Sequence, residues 1–275
     1  MMNNGAKRAK DSSDGPLGSR NVTIREPEHI LTAAEALRDF ALGLGGFRVA
    51  ACANIASKSP MQDAVGNILA SHVFGWPTTK NQWWRKPQLA LNSPLPIACR
   101  YESEPFWANI YGFYPKVENP MLASIDLTDF EELVQASAVI CIPVYQPFGQ
   151  IGVVSFSRIG NDRIDLAREF ELYSDRLEQF SRRFINSYSR MTCGRPRIPQ
   201  NCRLTDREIV CLRWAAVGKT DGEIAQIIHR SCATVRFHIQ KARGKLDAVN
   251  RSQTVFKASQ LGYLGSTAVT KTLVF

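Results

Sequence analysis

The sequence has no run of about 18 apolar residues, the length a membrane-spanning helix needs, so no membrane span is expected. It has no Gly-x-Ser-x-Gly elbow, no phosphate-binding loop and no spaced set of metal ligands. Gly43, Gly45 and Gly46 lack the dinucleotide-binding pattern and read as a turn. These absences leave no handle for an enzyme, and neither a catalytic residue nor a metal site is assigned. There is no Cys-x-x-Cys pair, and the seven cysteines form no regular framework. An odd, irregular set suits a reducing cytoplasm rather than a disulfide scaffold. Cys211, His229, Cys232 and His238 fall in one region, but without the paired spacing zinc requires the cysteines read as small apolar residues of packed helices. The first stretch, Met1 to about Ile24, has no apolar segment that could serve as a secretory signal and reads as a disordered leader. No internal repeat is apparent.

What is present is charge, and it is unevenly placed. Between Arg190 and Leu264 there are 14 Lys and Arg against 5 Asp and Glu, which accounts for the whole net charge of +9. The remainder holds 20 residues of each sign. A neutral body joined to a cationic segment is the footprint of a polyanion-binding module, here double-stranded DNA, with binding that weakens as salt rises.

The cationic segment carries four helix-start signals. Thr205 and Glu208, then Thr220 and Glu223, stand at capping-box spacing. Ser231 caps a third helix whose apolar stripe is Val235, Ile239, Ala242 and Leu246; Asn250 caps a fourth, and Gly218 marks a stop. Two short helices joined by a tight turn, the second with cations and amides facing out, are what major-groove reading needs. Arg236 can bond a guanine edge, Gln240 an adenine edge, and Phe237 a thymine methyl group. Thr220, Ser231, Thr234, Lys241, Arg243 and Lys245 suit the interface as well, chiefly through phosphates, which set register without reading sequence. The bland alternative, a helical hairpin with a solvated charged face, does not explain why all the excess charge sits here.

The amino-terminal body alternates helices and strands. Helices are expected at about 28–44, 62–72, 81–91, 104–114 and 127–136, with a strand at 47–55. Two Val/Ile-rich runs, 138–145 and 150–157, joined by Pro147-Phe148-Gly149, read as a β-hairpin. The long pattern at 164–188 repeats its apolar residues at helical period, and the Pro-, Gly- and Arg-rich stretch after Cys193 reads as a linker. Aromatics crowd between Trp76 and Tyr114, forming either a plain core or an apolar ligand pocket. The expected organisation is a leader (1–27), a sensing and dimerisation domain (28–189), a linker (190–203), a helix-turn-helix domain (204–264) and a tail (265–275).

Both halves resemble one family, the LuxR-type transcription regulators of bacterial quorum sensing. At the carboxyl end the resemblance runs through Leu204-Thr-Asp-Arg-Glu208, Cys211-Leu-Arg-Trp214, Gly218-Lys-Thr-Asp-Gly-Glu-Ile-Ala225, Thr234-Val235, His238, Lys245-Leu246 and Asn250-Arg251. Asn92-Ser-Pro-Leu95, Pro105-Phe-Trp107 and the Ile142–Phe156 hairpin carry it in the amino-terminal half. The resemblance implies an α/β/α sandwich with a central, mainly antiparallel sheet, followed by an all-α four-helix DNA-binding domain. It further implies a dimer on an inverted repeat and a pocket for an acyl-homoserine lactone or another small apolar ligand. By position, Trp84, Ser93, Trp107 and Ser155 would meet that ligand. Ser93 replaces the family's ligand-binding Asp, and Lys80 replaces a Trp that bonds the lactone carbonyl, so a non-lactone ligand or none is an equal expectation. A homodimer is expected; a heterodimer with a related regulator, acting as an antagonist, is the alternative. Phe47 to Ile55 carries no carboxylate, which argues against a phosphoacceptor receiver domain.

Overall fold

The computed structural model describes residues 22–57, 59–77, 93–158, 164–192 and 203–265. They cluster into two units, one of Met1–Tyr145 with Ile151–Cys193 and one of Gln146–Gln150 with Gly194–Phe275.

The first unit is built on a five-stranded sheet of order β1-β5-β4-β2-β3, with β1 Phe47–Cys52, β2 Phe106–Asn109, β3 Gly112–Pro115, β4 Ala138–Gln146 and β5 Gln150–Arg158. Strand β1 pairs antiparallel with β5, and β2 with both β3 and β4. Central β4 is buried on both faces from Ala138 to Val144, which is why that stretch is apolar without alternation. One face, including Val49, Ile140, Ile142, Val154 and Phe156, packs with α1 (His29–Gly45) and α5 (Ala167–Thr192). Ala33, Ala34 and Ala41 keep α1 thin, and Phe40 stacks on Phe180 of α5 with ring centroids 3.7 Å apart. The other face packs Phe106, Ala108, Val139 and Cys141 against α3 (Pro94–Tyr101) and α4 (Phe130–Val134). The α/β/α sandwich is therefore present, its two apolar layers separated by the strand period of two.

Four expectations fail here. The stretch 104–114 is not helical but forms the β2–β3 hairpin. Aromatic residues fit a pleated sheet, and Asn109 organises the turn by accepting from the amides of Tyr111 (2.8 Å) and Gly112 (3.2 Å). In 62–72 only α2, Leu69–His72, is helical; Asp63 captures the amides of Val65 and Asn67, holding a turn instead. The leader does not reach Pro27, because Val22 and Ile24 are buried in the core and the Ile24 amide donates to Ser187 Oγ. Helix α3 went unread because its Pro-x-Pro start looks like a breaker, yet proline at the first helical position costs no hydrogen bond. The linker begins later than residue 190, since α5 runs through Thr192. The helix expected at 81–91, most of the linker and the tail beyond Gly265 lie outside the described residues.

The second unit is all helical over 203–265, with α6 Asp206–Ala216, α7 Asp221–Ile227, α8 Cys232–Lys245 and α9 Arg251–Gln260. Both capping boxes form. Ser231 and Asn250 accept the amides of Thr234 and Gln253. Gly218 takes a left-handed φ of 95°, as the stop after α6 requires. No helix among the described residues is long and apolar enough to cross a membrane.

Candidate nucleic-acid interface

Helix α8 sorts its residues by period. Val235, Ile239, Ala242 and Leu246 are buried between two small clusters, one with Cys211, Ile224 and Ala225 and the other with Leu212 and Ala258. The cysteines of this region thus serve as packing: Cys211 is buried in the first cluster and Cys232 packs against it. On the opposite side Ala233, Arg236, Phe237, Gln240, Lys241, Arg243 and Gly244 are exposed. Four 100° steps carry one turn to the next, so these residues share a single outward face. Phe237 is 54% exposed, a large apolar ring where solvent would be expected. Lys241 Nζ lies 5.6 Å from its centroid, within cation–π range. A convex helix face of cations, an amide and one aromatic ring can enter a groove about 12 Å wide and meet base edges there.

The flanks do different work. Ser231 and Thr234 are joined by their hydroxyl oxygens at 2.8 Å, and Ser231 also holds the first turn of α8. Thr220 is bound to the Glu223 carboxylate through both its amide and its hydroxyl. These three hydroxyls therefore set helix starts, whatever else they touch. Lys245 is drawn inward: its Nζ lies 2.8 Å from Glu208 Oε2, and Glu208 is buried. Burial alone would raise the Glu208 pKa. The Lys245 ammonium and the Thr205 amide outweigh it and hold the carboxyl below its ordinary value. Lys245 thus leaves the outward face that the sequence assigned to it, because a buried carboxylate at the start of α6 needs a cation. Arg243 remains exposed.

Asp221, Arg251 and Lys257 were not read from the sequence as part of this region. Asp221, the first residue of α7, accepts from Arg251 Nη1 and lies 3.5 Å from Arg236 Nε. Arg251 also donates to the Lys219 carbonyl at 2.7 Å. The available signal was an acid in a helix first turn followed by an arginine just past a later cap. Lys257 was likewise unread; it donates to the Leu246 and Asp247 carbonyls at the end of α8, where a cation is favoured.

In the sheet unit two of the four expected ligand contacts, Trp107 and Ser155, do not share a face. Trp84 lies outside the described residues, as does Lys80. Ser93 precedes α3, half-buried, and makes no cap bond with its side chain. Trp107 is opposite Ile140 in the β2–β4 register, packs with the α1/α5 layer and stacks on Tyr114 at 4.1 Å. Ser155 stands between Val154 and Phe156, which face that layer, so its own side chain faces the other. Trp107 and Ser155 are thus on opposite faces of the sheet. The β2 side chains on the Ser155 face are Phe106 and Ala108. That face also holds Cys99 and Cys141, with sulfurs 3.6 Å apart, and Ile151 and Val153 of β5 are only partly covered there.

Residues 203–258 match the family described as bacterial regulatory proteins, luxR family. The chain is 36% identical over 124 residues to the transcriptional activator protein VanR of Vibrio anguillarum, covering 45% of this chain and 50% of that one. It is 44% identical over 81 residues to RpaR of Rhodopseudomonas palustris, a quorum sensing-dependent transcriptional regulator, covering 29% and 33%. The match thus spans about half the length of VanR and a third of RpaR. The solved structure of SdiA in complex with octanoyl-rac-glycerol is similar at 18% identity, covering 90% of this chain and 93% of that one, with a TM-score of 0.47. The helical unit carrying α6 to α9 is therefore a LuxR-type helix-turn-helix domain, which is a DNA-binding module, and the chain's relatives are transcription regulators rather than enzymes.

Proposed function

We propose that this chain is a transcription regulator of the quorum-sensing type that binds an inverted-repeat promoter site as a homodimer. Helix α8 lies in the major groove, with Arg236, Phe237 and Gln240 on base edges and Lys241 and Arg243 on phosphates. The observation that carries the reading is the single outward face of α8, cationic and aromatic, on the unit that holds the chain's entire charge excess. Two such units meet successive major grooves about one helical turn apart.

The sheet unit governs when this happens. Its α3/α4 side, with Ser93 and Ser155 as polar groups and partly covered Ile151 and Val153, suits a small, largely apolar effector. Ser93 accepts a hydrogen bond without a carboxylate's charge, which favours a ligand other than a simple acyl-homoserine lactone.

The test is selection of bound sequences from a randomised duplex pool by the purified full-length protein, followed by footprinting on the enriched site. Enrichment of a two-fold symmetric site is expected, with affinity falling steeply between 50 and 200 mM salt, by about a thousandfold for six phosphate contacts. The 195–275 fragment should bind the same site far more weakly, since it loses the second half-site. Failure to enrich any sequence, with or without lipid extract from producing cells, would sink the reading and favour action through heterodimers with a related regulator.

A further inference from the structure

Asp221 is held from two sides. Arg251 Nη1 donates to Oδ1, while Arg251 Nη2 is pinned to the Lys219 carbonyl at 2.7 Å. With both terminal nitrogens engaged, Arg251 braces the carboxylate. Its other oxygen, Oδ2, lies 3.5 Å from Nε of Arg236. Exposure rises along this chain: the Asp221 side chain is 24% exposed, Arg251 37% and Arg236 72%. The order runs from a fixed, half-buried anion to a cation standing in solvent.

An exposed arginine samples many rotamers, and freezing them on DNA costs entropy. A guanine edge asks for two N–H donors held in one plane. A contact at Nε restrains the plane of the guanidinium without using its ends. Nη1 and Nη2 of Arg236 make no hydrogen bond to the described residues, so the fork stays available. We infer that Asp221, braced by Arg251, is a positioning residue that orients Arg236 to read a guanine, and so sets selectivity at one base position of each half-site. This rests on the DNA-reading role of α8 proposed above. An exposed ion pair at this separation adds little to folding, so its effect belongs in recognition rather than in stability.

The experiment repeats the randomised-duplex selection with full-length wild type, Asp221→Asn, Asp221→Glu, Arg236→Ala and the Asp221→Asn/Arg236→Ala double variant. Asn keeps an acceptor for Arg251 and removes the charge. Arg236→Ala should erase a guanine preference at one position per half-site. Asp221→Asn should lower that same preference about three- to fivefold, the scale of one exposed ion pair, and leave every other position unchanged. Asp221→Glu should retain most of it. Adding Asp221→Asn to Arg236→Ala should change nothing further. Thermal melts run alongside; if Asp221→Asn proves unfolded, a loss of guanine preference in folded Asp221→Glu as complete as in Arg236→Ala counts against the inference, and retention supports it. An unchanged preference in folded Asp221→Asn, or an even weakening at all positions, overturns the positioning role while leaving the DNA-binding reading intact. A wild type that enriches nothing removes the reading itself, and the inference with it.

Discussion

The helical unit and the sheet unit spend their side chains in opposite directions. Around α8 the buried core is two small clusters of aliphatic residues and a cysteine, and the distinctive groups, Arg236, Phe237, Gln240 and Lys241, point outward. In the sheet unit the bulk is inside: Phe47, Phe106, Phe130, Phe156 and Phe184 are almost wholly buried, and the charge balance is zero over the chain outside the cationic segment. One unit displays its distinctive side chains, the other encloses them. A surface that reads DNA tolerates substitution without unfolding, whereas a unit whose aromatics line both faces of one sheet has no such latitude.

The largest effect expected from breaking this contrast lies in the sheet unit. Phe184 of α5 is completely buried beside Tyr188. Phe184→Ala should cost about 3–5 kcal/mol, the transfer of a ring plus the cavity it leaves. Hydrogen exchange should show lost protection in α1, α5 and the sheet, with α6 to α9 unchanged. Lost protection in both units together would mean that they fold as one. On the other side of the contrast, Arg236→Ala should leave melting within experimental error and cost about 1–3 kcal/mol in binding, confined to one base position. Equal weakening on every duplex would make Arg236 a phosphate contact.

A smaller effect separates capping from contact on α8. Ser231→Ala should destabilise the helical unit by about 1 kcal/mol, and Ser231→Gly by only a few tenths, because glycine also adopts the cap backbone. If both variants instead lose DNA affinity equally with no change in melting, the hydroxyl acts on the duplex.

The same contrast explains what the sequence made legible. In the helical unit each helix start is written within four residues: Thr205 with Glu208, Thr220 with Glu223, Ser231 with Thr234 and Asn250 with Gln253, so local rules suffice. In the sheet unit, Glu104–Tyr114 has an aromatic spacing that fits a helix on paper; β2 pairs locally with β3, but its place in the sheet is set by pairing with β4, where Phe106 meets Cys141. The β4–β5 hairpin was readable because both partners adjoin one turn. The placement of Trp107 and Ser155 on opposite faces depends on that same distant register, and no single-segment pattern contains it. At the interface, the outward residues of α8 followed from period alone. The inward turn of Lys245 and the bracing of Asp221 did not, because their partners Glu208 and Arg251 lie on other helices, 37 and 30 residues away.

The smallest expected effect concerns that inward lysine. Glu208 is held below its ordinary pKa of about 4.3 by Lys245 and the Thr205 amide, against the opposing pull of burial. A carboxyl whose folded pKa is depressed binds fewer protons than in the unfolded chain, so its contribution is complete above the ordinary value and is lost as pH falls through the depressed one. Between neutral pH and pH 5 the melting of α6–α9 should therefore be insensitive to this pair. Below about pH 4.3 wild type should lose stability more steeply than Glu208→Gln, which has no proton to take up. Lys245→Met should flatten the same limb while leaving the salt slope of DNA binding unchanged, since a lysine committed to Glu208 neutralises no phosphate. A salt slope reduced by one contact would put Lys245 back among the outward cations, and the division between inward and outward charge on α8 would have to be redrawn.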